Sequence, residues 1–209
     1  MPALALPWAN GERLEYALYF RGLWVGNFAL SAERTPEGWR FRGAPLGLSL
    51  ARLAGFDLAL FGESDPELRF YYFKKALQAP GVGQLVLEGW RDGEGFLALR
   101  RENGRLAARY RYPDPEVKND LSLLYHLRVR PEGGPVTLLG LYGPVRGRLK
   151  ALGPTAVRVP AGRFSALRFL LDHPGAYFEA FLAGKTRLPV KLVLGFGQQR
   201  IEAQLVHQP

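Results

Sequence analysis

The sequence predicts a mainly β protein, in which a strongly curved antiparallel sheet or a partly open β-barrel carries one principal α-helix packed against it. Two features predict this fold class. Segments in which apolar and polar residues alternate recur along most of the chain, and turn residues separate them at intervals of about 8–12 residues. Only the segment 119–130, in the middle of the chain, has convincing helical periodicity.

Alternating residues in the first half of the chain predict a succession of hairpins. A strand is predicted over 11–20, and the Arg21-Gly22 pair turns the chain into a second strand over 24–32. The segment 46–61 fits a helix as well as a strand, and we interpret it as a strand with a bend or bulge at Gly55. The other strands predicted before the helix cover 39–42, 68–73, 84–91, 96–101 and 105–112.

The helix predicted over 119–130 has an apolar face that covers more than half of its circumference. At about 100° per residue, this face spans an arc of roughly 200°. Its apolar residues are Leu121, Leu123, Leu124, Tyr125 and Leu127. Asn119 and Asp120 suit the N-cap and the first turn, and Pro131 ends the helix. A helix of about three turns is marginal alone in water, so we expect it to lie against the sheet.

Two charged residues, Asp120 and Arg128, fall within this apolar arc, where an unpaired charge would be costly. We expect Asp120 to cap the helix, and Arg128 to pair with a carboxylate or with backbone carbonyl groups. The alternative is that Arg128 binds a ligand.

Strand patterns resume after the helix and continue to the end of the chain. The predicted strands cover 136–142, 146–152, 155–159, 164–171, 177–182, 189–196 and 199–206. Pro189 cannot donate a hydrogen bond to a ladder, so it should lie at a sheet edge or at the start of a strand. About a dozen strands exceed what an open twisted sheet carries without curling. We therefore predict one β-rich domain over 1–209, with 1–10 as a tail that could be the remnant of a removed export signal.

Composition narrows the classes of function. The chain has no cysteine, no apolar run long enough to span a membrane and a net charge of +9. Its basic residues repeat at every second position of three strands, as on a solvated sheet face. These residues are Arg40 and Arg42, Arg109 and Arg111, and Arg146, Arg148 and Lys150. Without a nucleic-acid-binding motif, they favour a weak attraction to anionic envelope surfaces over sequence-specific nucleic-acid binding. Arginine far exceeds lysine, which is compatible with a thermophile or a GC-rich genome.

No motif in the sequence carries a recognisable catalytic or metal-binding chemistry. The histidines at 126, 173 and 207 have no metal-type partner nearby, and no nucleophile elbow is present. We therefore predict no catalytic residue, no metal site and no cofactor. The chain is rich in aromatic residues, with 13 Phe, 9 Tyr and 4 Trp. These residues either fill the interior of the sheet or leave an apolar space in it.

Four stretches together resemble the bacterial DUF3108 family, a family of unknown function. They are 11–26, 120–128, 159–164 and 187–190, in the order in which the family has them. The resemblance implies an exported protein of the periplasm or envelope, and it implies no catalytic residues. The predicted outline is also similar to that of envelope lipoprotein carriers, which have a curved sheet under a helical lid.

The leading hypothesis is an exported, non-enzymatic protein that binds a lipid or other amphiphilic envelope molecule between the sheet and the helix. In this hypothesis Leu124, Tyr125 and Leu127 form part of the inner face of the helix, and Arg128 meets an acidic head group or an internal carboxylate. The alternative is a structural or protein-interaction module of the envelope with a filled core. A hydrolase of envelope polymers is the third hypothesis. A periplasmic or otherwise extracytoplasmic location is expected, with a cytoplasmic location as the alternative.

Overall fold

Fourteen antiparallel strands form one sheet in the computed structural model, which describes residues 6–47, 55–81, 83–93, 95–113, 117–140, 143–174, 176–196 and 199–207. The strands before the helix are β1 (Glu12–Phe20), β2 (Leu23–Thr35), β3 (Gly38–Leu46), β4 (Asp57–Ser64), β5 (Phe70–Ala79), β6 (Gly83–Asp92), β7 (Gly95–Glu102) and β8 (Arg105–Tyr112). Those after it are β9 (Gly134–Gly140), β10 (Gly143–Val159), β11 (Gly162–His173), β12 (Ala176–Ala183), β13 (Leu188–Phe196) and β14 (Gln199–Leu205). This architecture confirms the predicted mainly β fold class.

The strand order is that of two meanders, joined by one long-range pairing. Strands follow one another from β8 back to β1, then β14 pairs with β1, and the order continues from β14 back to β9. In the β1–β14 ladder, Tyr16 lies opposite Leu205 and Phe20 lies opposite Ile201. The helical segment therefore connects β8 and β9, the two ends of the sheet order.

The two ends of the sheet meet through side-chain packing, since the described residues contain no ladder between β8 and β9. Leu138 of β9 belongs to the main core, whereas Leu139 packs in a second cluster with Phe73, Leu87, Phe96, Ala98 and Val117. Successive side chains of a strand point to opposite faces, so β9 is buried on both faces. Lys118 covers its edge, because the backbone of this residue bonds to Thr137 and Leu139 at 2.9 and 2.8 Å.

Helix α1 (Asp120–Val129) confirms the predicted helix. Asn119 is its N-cap, and a capping box joins this residue to Ser122. The Asn119 side chain accepts a hydrogen bond from the Ser122 N–H at 3.0 Å, and the Ser122 hydroxyl accepts one from the Asn119 N–H at 2.7 Å. The prediction that Asp120 caps the helix is therefore wrong, since the neighbouring residue performs that role.

Burial around α1 extends beyond the predicted apolar arc. Eight of its ten side chains are buried, and Ser122, which lies outside that arc, is among them. At the C-terminal end, the Arg187 guanidinium donates to the carbonyl oxygens of Arg128, at 2.7 Å, and of Val129. This contact satisfies carbonyl groups that have no partner within the helix.

The predicted strand bounds are wrong at two places, one at a bulge and the other at a turn. The separate strands predicted over 146–152 and 155–159 are one strand, β10, with a bulge between Ala151 and Pro154. The strand predicted from residue 68 begins later, because Leu68 has a positive φ of 64°.

Three other sequence interpretations have mixed outcomes. Gly55 provides the predicted bend with a φ of 77°, while residues 48–54 of the ambiguous segment lie outside the described residues. Pro189 is the second residue of β13, at a register shift against β12, so it lies at a strand start as predicted. Residues 1–5 of the predicted tail also lie outside the described residues, but Trp8 is buried in the main core.

Candidate functional site

An apolar cavity of about 40 Å³ lies between the first half of α1 and the inner faces of six strands. Asp120, Leu121 and Leu124 line it from the helix, and the sheet contributes side chains such as Leu194 and Ala203. The volume exceeds the roughly 10–15 Å³ that one water molecule needs. It is well below the about 300–1,000 Å³ of typical small-molecule sites. Most of the space inside the barrel is therefore filled by side chains.

One end of this cavity lies behind an aromatic pair. Leu18 of β1 and Leu58 of β4 line the cavity. Phe20 follows Leu18 by two positions, and Phe56 precedes Leu58 by two, so both lie nearer to the end of the barrel that holds the β1–β2 turn. The rings of Phe20 and Phe56 stack with centroids 6.1 Å apart. Since residues two apart on a strand share a face, this pair lies beyond the cavity at that end of the barrel.

The polar groups that line the cavity already have protein partners. Tyr16 is fully buried, and its hydroxyl donates to the Pro189 carbonyl oxygen at 2.7 Å. Burial raises the pKa of the Tyr16 phenol well above its usual value. The Asp120 carboxylate accepts from the Lys75 ammonium at 2.5 Å, and the two side chains are only 10% and 9% exposed. The cavity therefore presents almost no free hydrogen-bonding capacity.

Arg128 pairs with a carboxylate, which is one of the partners predicted for it from the sequence. It is fully buried, and its two terminal nitrogens bind the two oxygens of Glu12 at 2.5 and 2.9 Å. Its guanidinium carbon also lies 5.0 Å from the centre of the Trp8 ring and 5.5 Å from that of Tyr125. Such bidentate and cation–π geometry holds the C-terminal half of α1 against β1.

Tyr125 packs in an aromatic cluster on the same side of the helix as Arg128. Its ring centre lies 4.0 Å from that of Phe41 and 4.9 Å from that of Trp8. Burial raises the pKa of the Tyr125 phenol. Trp8 thus connects the segment before β1 to the helix, where the sequence predicted only a tail.

The four residues predicted to bind a ligand therefore occupy different surroundings. Leu124 lines the cavity, whereas Tyr125, Leu127 and Arg128 are buried in the packing between helix and sheet. The ligand-binding role assigned to them stays a prediction.

Sequence reasoning missed two residues of this site, Glu12 and Lys75, although strand parity could have identified both. Glu12 has the same parity as Leu14 and Tyr16, and Lys75 has the same parity as Phe73 and Leu77. A charged residue in register with inward-facing apolar residues must find a buried partner. The two charges within the apolar arc of the helix are those partners.

The basic residues predicted on outward sheet faces lie there. Those that are exposed are Arg42, Arg109, Arg111, Arg146, Arg148 and Lys150. Arg40 is half-buried, because its guanidinium pairs with Glu63 at 2.9 Å. Among the described residues, no group of three or more His, Cys, Asp or Glu side chains is arranged to hold a metal ion. No helix in the described part of the chain is long and apolar enough to cross a membrane.

Comparison with known proteins identifies a related fold. No family model matches the chain, and no curated protein matches it. Among solved structures, the chain is similar to a beta-barrel-like protein of the domain of unknown function DUF1849 from Brucella abortus. The TM-score is 0.57 at 10% sequence identity, over 93% of this chain and 95% of the other. This similarity shows a shared β-barrel-like fold.

Proposed function

We propose that the protein is an exported, non-enzymatic protein of the bacterial cell envelope that takes the apolar end of a lipid or other amphiphilic molecule into the cavity beneath α1. The observation that carries the proposal is the lining of this cavity, in which apolar side chains of the helix and of six strands face one space. Hydrocarbon is favoured there because its entry removes apolar surface from water. The resemblance to the DUF3108 family supports the extracytoplasmic location, with a cytoplasmic location as the alternative.

Entry of a hydrocarbon chain requires part of the wall to move, because about 40 Å³ is too small for it. The helix is a poor candidate for that movement, since ion pairs attach Asp120 to Lys75 and Arg128 to Glu12. The Phe20–Phe56 pair is a better one, because Phe20 is only half-buried and lies at the end of its strand. We propose that rotation of these two rings opens the cavity from the β1–β2 end of the barrel.

In this proposal Leu124 contacts the bound chain directly. Tyr125, Leu127 and Arg128 act indirectly, by holding the helix in place. The head group of the amphiphile stays outside the cavity, because the Glu12 carboxylate already occupies the terminal nitrogens of Arg128. A non-enzymatic role is supported by the polar groups of the cavity, since Asp120 and Tyr16 are engaged by protein partners.

Two measurements test this function. Protein purified from its own host is extracted with organic solvent and also examined by native mass spectrometry, and we expect a co-purifying amphiphile. The full chain is then titrated with N-phenyl-1-naphthylamine, an apolar fluorescent probe that we expect the bound amphiphile to displace. Repeated absence of a co-purifying molecule, together with no saturable binding of the probe, would refute the proposal.

The second candidate is a structural or protein-interaction module of the envelope with a filled core. The small volume of the cavity favours it, as do the ion pairs that hold both ends of the helix. A specific protein partner in affinity purification, without any bound small molecule, would support this candidate over the first.

A further inference from the structure

The tip of the β1–β2 hairpin presents two large apolar side chains to solvent. Leu23 is 72% exposed and Trp24 is 48% exposed. The tight turn at Arg21 and Gly22, with φ of 52° and 78°, brings both to the end of the hairpin. The β2–β3 ladder reaches only to Asn27, so residues 23–26 extend beyond the described end of β3. Contiguous exposed apolar surface marks interaction sites on soluble proteins.

Basic and aromatic groups surround this tip. The Arg21 side chain is exposed, and its guanidinium carbon lies 5.4 Å from the centre of the Phe20 ring. Arg200 lies at the same end of the sheet, on β14, the strand that neighbours β1. It is exposed, and its guanidinium carbon lies 3.7 Å from the centre of the Tyr177 ring. Tryptophan and tyrosine favour the membrane–water interface, and basic side chains favour anionic head groups.

Acidic groups at this end of the barrel limit the local positive charge. Asp172 is exposed and lies opposite Tyr177 in the β11–β12 ladder, and half-buried Asp57 begins β4. The net charge of +9 on the whole chain supplies a longer-range attraction to an anionic surface. Apolar contact by the tip should therefore contribute most of the binding, and charge should contribute a smaller, salt-dependent part.

We propose that the tip of the β1–β2 hairpin docks the protein on a lipid bilayer that contains anionic lipids. Leu23 and Trp24 enter the interfacial region, while Arg21 lies at the level of the phosphate groups. This docking goes beyond the proposed function and does not depend on it. It would nevertheless bring the Phe20–Phe56 end of the barrel close to the membrane, since Phe20 directly precedes the turn.

Flotation of the full chain with vesicles of phosphatidylcholine and phosphatidylglycerol, in a ratio of about 7:3, tests the proposal. We expect the double substitution Leu23→Glu/Trp24→Glu to lower the partition coefficient by about tenfold or more. The matched control is Leu152→Glu, because Leu152 is a similarly exposed leucine, at 46%, on β10. The control should stay within about twofold of the unaltered chain. Arg21→Glu should weaken binding to the anionic vesicles severalfold and leave binding to pure phosphatidylcholine vesicles unchanged.

A second measurement keeps the test valid if the double substitution impairs folding. Lipids brominated along the acyl chain should quench part of the tryptophan fluorescence of the bound protein, and Trp24→Phe should remove that quenching. Trp8 and Trp39 are buried, and half-buried Trp90 lies on β6 towards the end of the barrel that holds the β2–β3 turn, so these three should contribute little to it.

Three results would overturn the proposal. The first is no binding of the unaltered chain to the vesicles, and the second is quenching that persists in Trp24→Phe. The third is partitioning that Leu23→Glu/Trp24→Glu leaves unchanged, which would assign the binding to overall charge. A self-association or protein complex that this substitution abolishes, without vesicle binding, would assign the tip to a protein partner.

Discussion

Arg128 and Glu12, which are 116 positions apart in the sequence, form a bidentate ion pair inside the barrel. The Arg128 side chain is fully buried and that of Glu12 is 11% exposed. Because one residue lies on α1 and the other begins β1, the pair joins the helix to the strand at the centre of the sheet order.

Removing one partner of this pair should destabilise the fold more than removing both. Glu12→Leu or Arg128→Met alone leaves a buried charge, and each should lower the free energy of unfolding by about 3–5 kcal/mol. The double substitution should recover much of that loss. Urea unfolding followed by circular dichroism measures these changes. The exposed Arg13–Glu15 pair is the control, because its removal should change stability little. Single substitutions as stable as the control would contradict the prediction.

Leu124→Asp should lower the free energy of unfolding by several kcal/mol, on the order of 3 or more. Leu124 is 3% exposed, so the substitution places a carboxylate in apolar surroundings. Thermal melting provides the measurement, and Leu152→Asp, on an exposed leucine, is the matched control. A melting temperature equal to that of the control would mean that this face of the helix is not packed against the sheet.

Filling the cavity should block binding of an apolar probe without loss of the fold. Ala203 lines the cavity, and we expect Ala203→Val, whose two added methyl groups are close to the size of the cavity, to weaken binding of N-phenyl-1-naphthylamine by about tenfold, equivalent to about 1.4 kcal/mol. The control is Ala156→Val, since Ala156 is exposed on β10. Equal affinity in the two variants would place the probe elsewhere on the protein.

Shortening one ring of the Phe20–Phe56 pair should change the rate of probe entry. Phe56→Ala should raise the association rate constant in stopped-flow fluorescence, because it removes half of the stacked pair at the end of the cavity. An unchanged rate would show that entry does not pass between these rings.

The stability of the protein should fall as the pH rises above about 10, the usual pKa of tyrosine. Burial raises the pKa values of the Tyr16 and Tyr125 phenols in the folded state. Between the unfolded and folded pKa values, the folded state binds more protons than the unfolded state, so increasing pH favours unfolding. The stabilising contribution is complete below the unfolded pKa and is lost through the folded pKa.

Absorbance at the phenolate band provides the corresponding measurement. Burial raises the pKa of the half-buried Tyr72, Tyr112 and Tyr177 to about 12. Tyr16 and Tyr125 are fully enclosed and should ionise only as the protein unfolds. In Tyr16→Phe, the signal that accompanies unfolding should decrease by one phenol. Complete ionisation of all tyrosines while the far-ultraviolet spectrum stays native would contradict the prediction.

Local patterns in the sequence were sufficient for the fold class and for most elements. Alternation of apolar and polar residues identifies the strands, because each strand of a barrel wall has one buried face. Capping residues identify the start of α1, because their side chains accept hydrogen bonds from its first N–H groups. The pattern failed at residues 152–155, where Gly153 and Pro154 indicate a turn. In the structure Gly153 lies in a bulge of β10, and pairing with β11 resumes at Pro154, opposite Leu167.

The candidate site was less accessible to sequence reasoning, because it depends on contacts between distant residues. The need for a partner at Arg128 followed from its place in an apolar arc. Strand parity marks Glu12 as inward-facing, but no local pattern pairs it with Arg128, which is 116 positions away. The size of the cavity depends on how side chains from six strands pack together, and periodicity gives only the face on which each one lies.

The β1–β14 ladder also has a consequence during synthesis of the chain. As β2 to β8 emerge from the ribosome, each can pair with the strand before it. The other edge of β1 stays unpaired until β14 has been synthesised. Throughout that interval the nascent polypeptide carries an open edge that can recruit foreign strands. That pairing is thus postponed until residues 199–205 of β14 have been translated, which makes a holding chaperone advantageous.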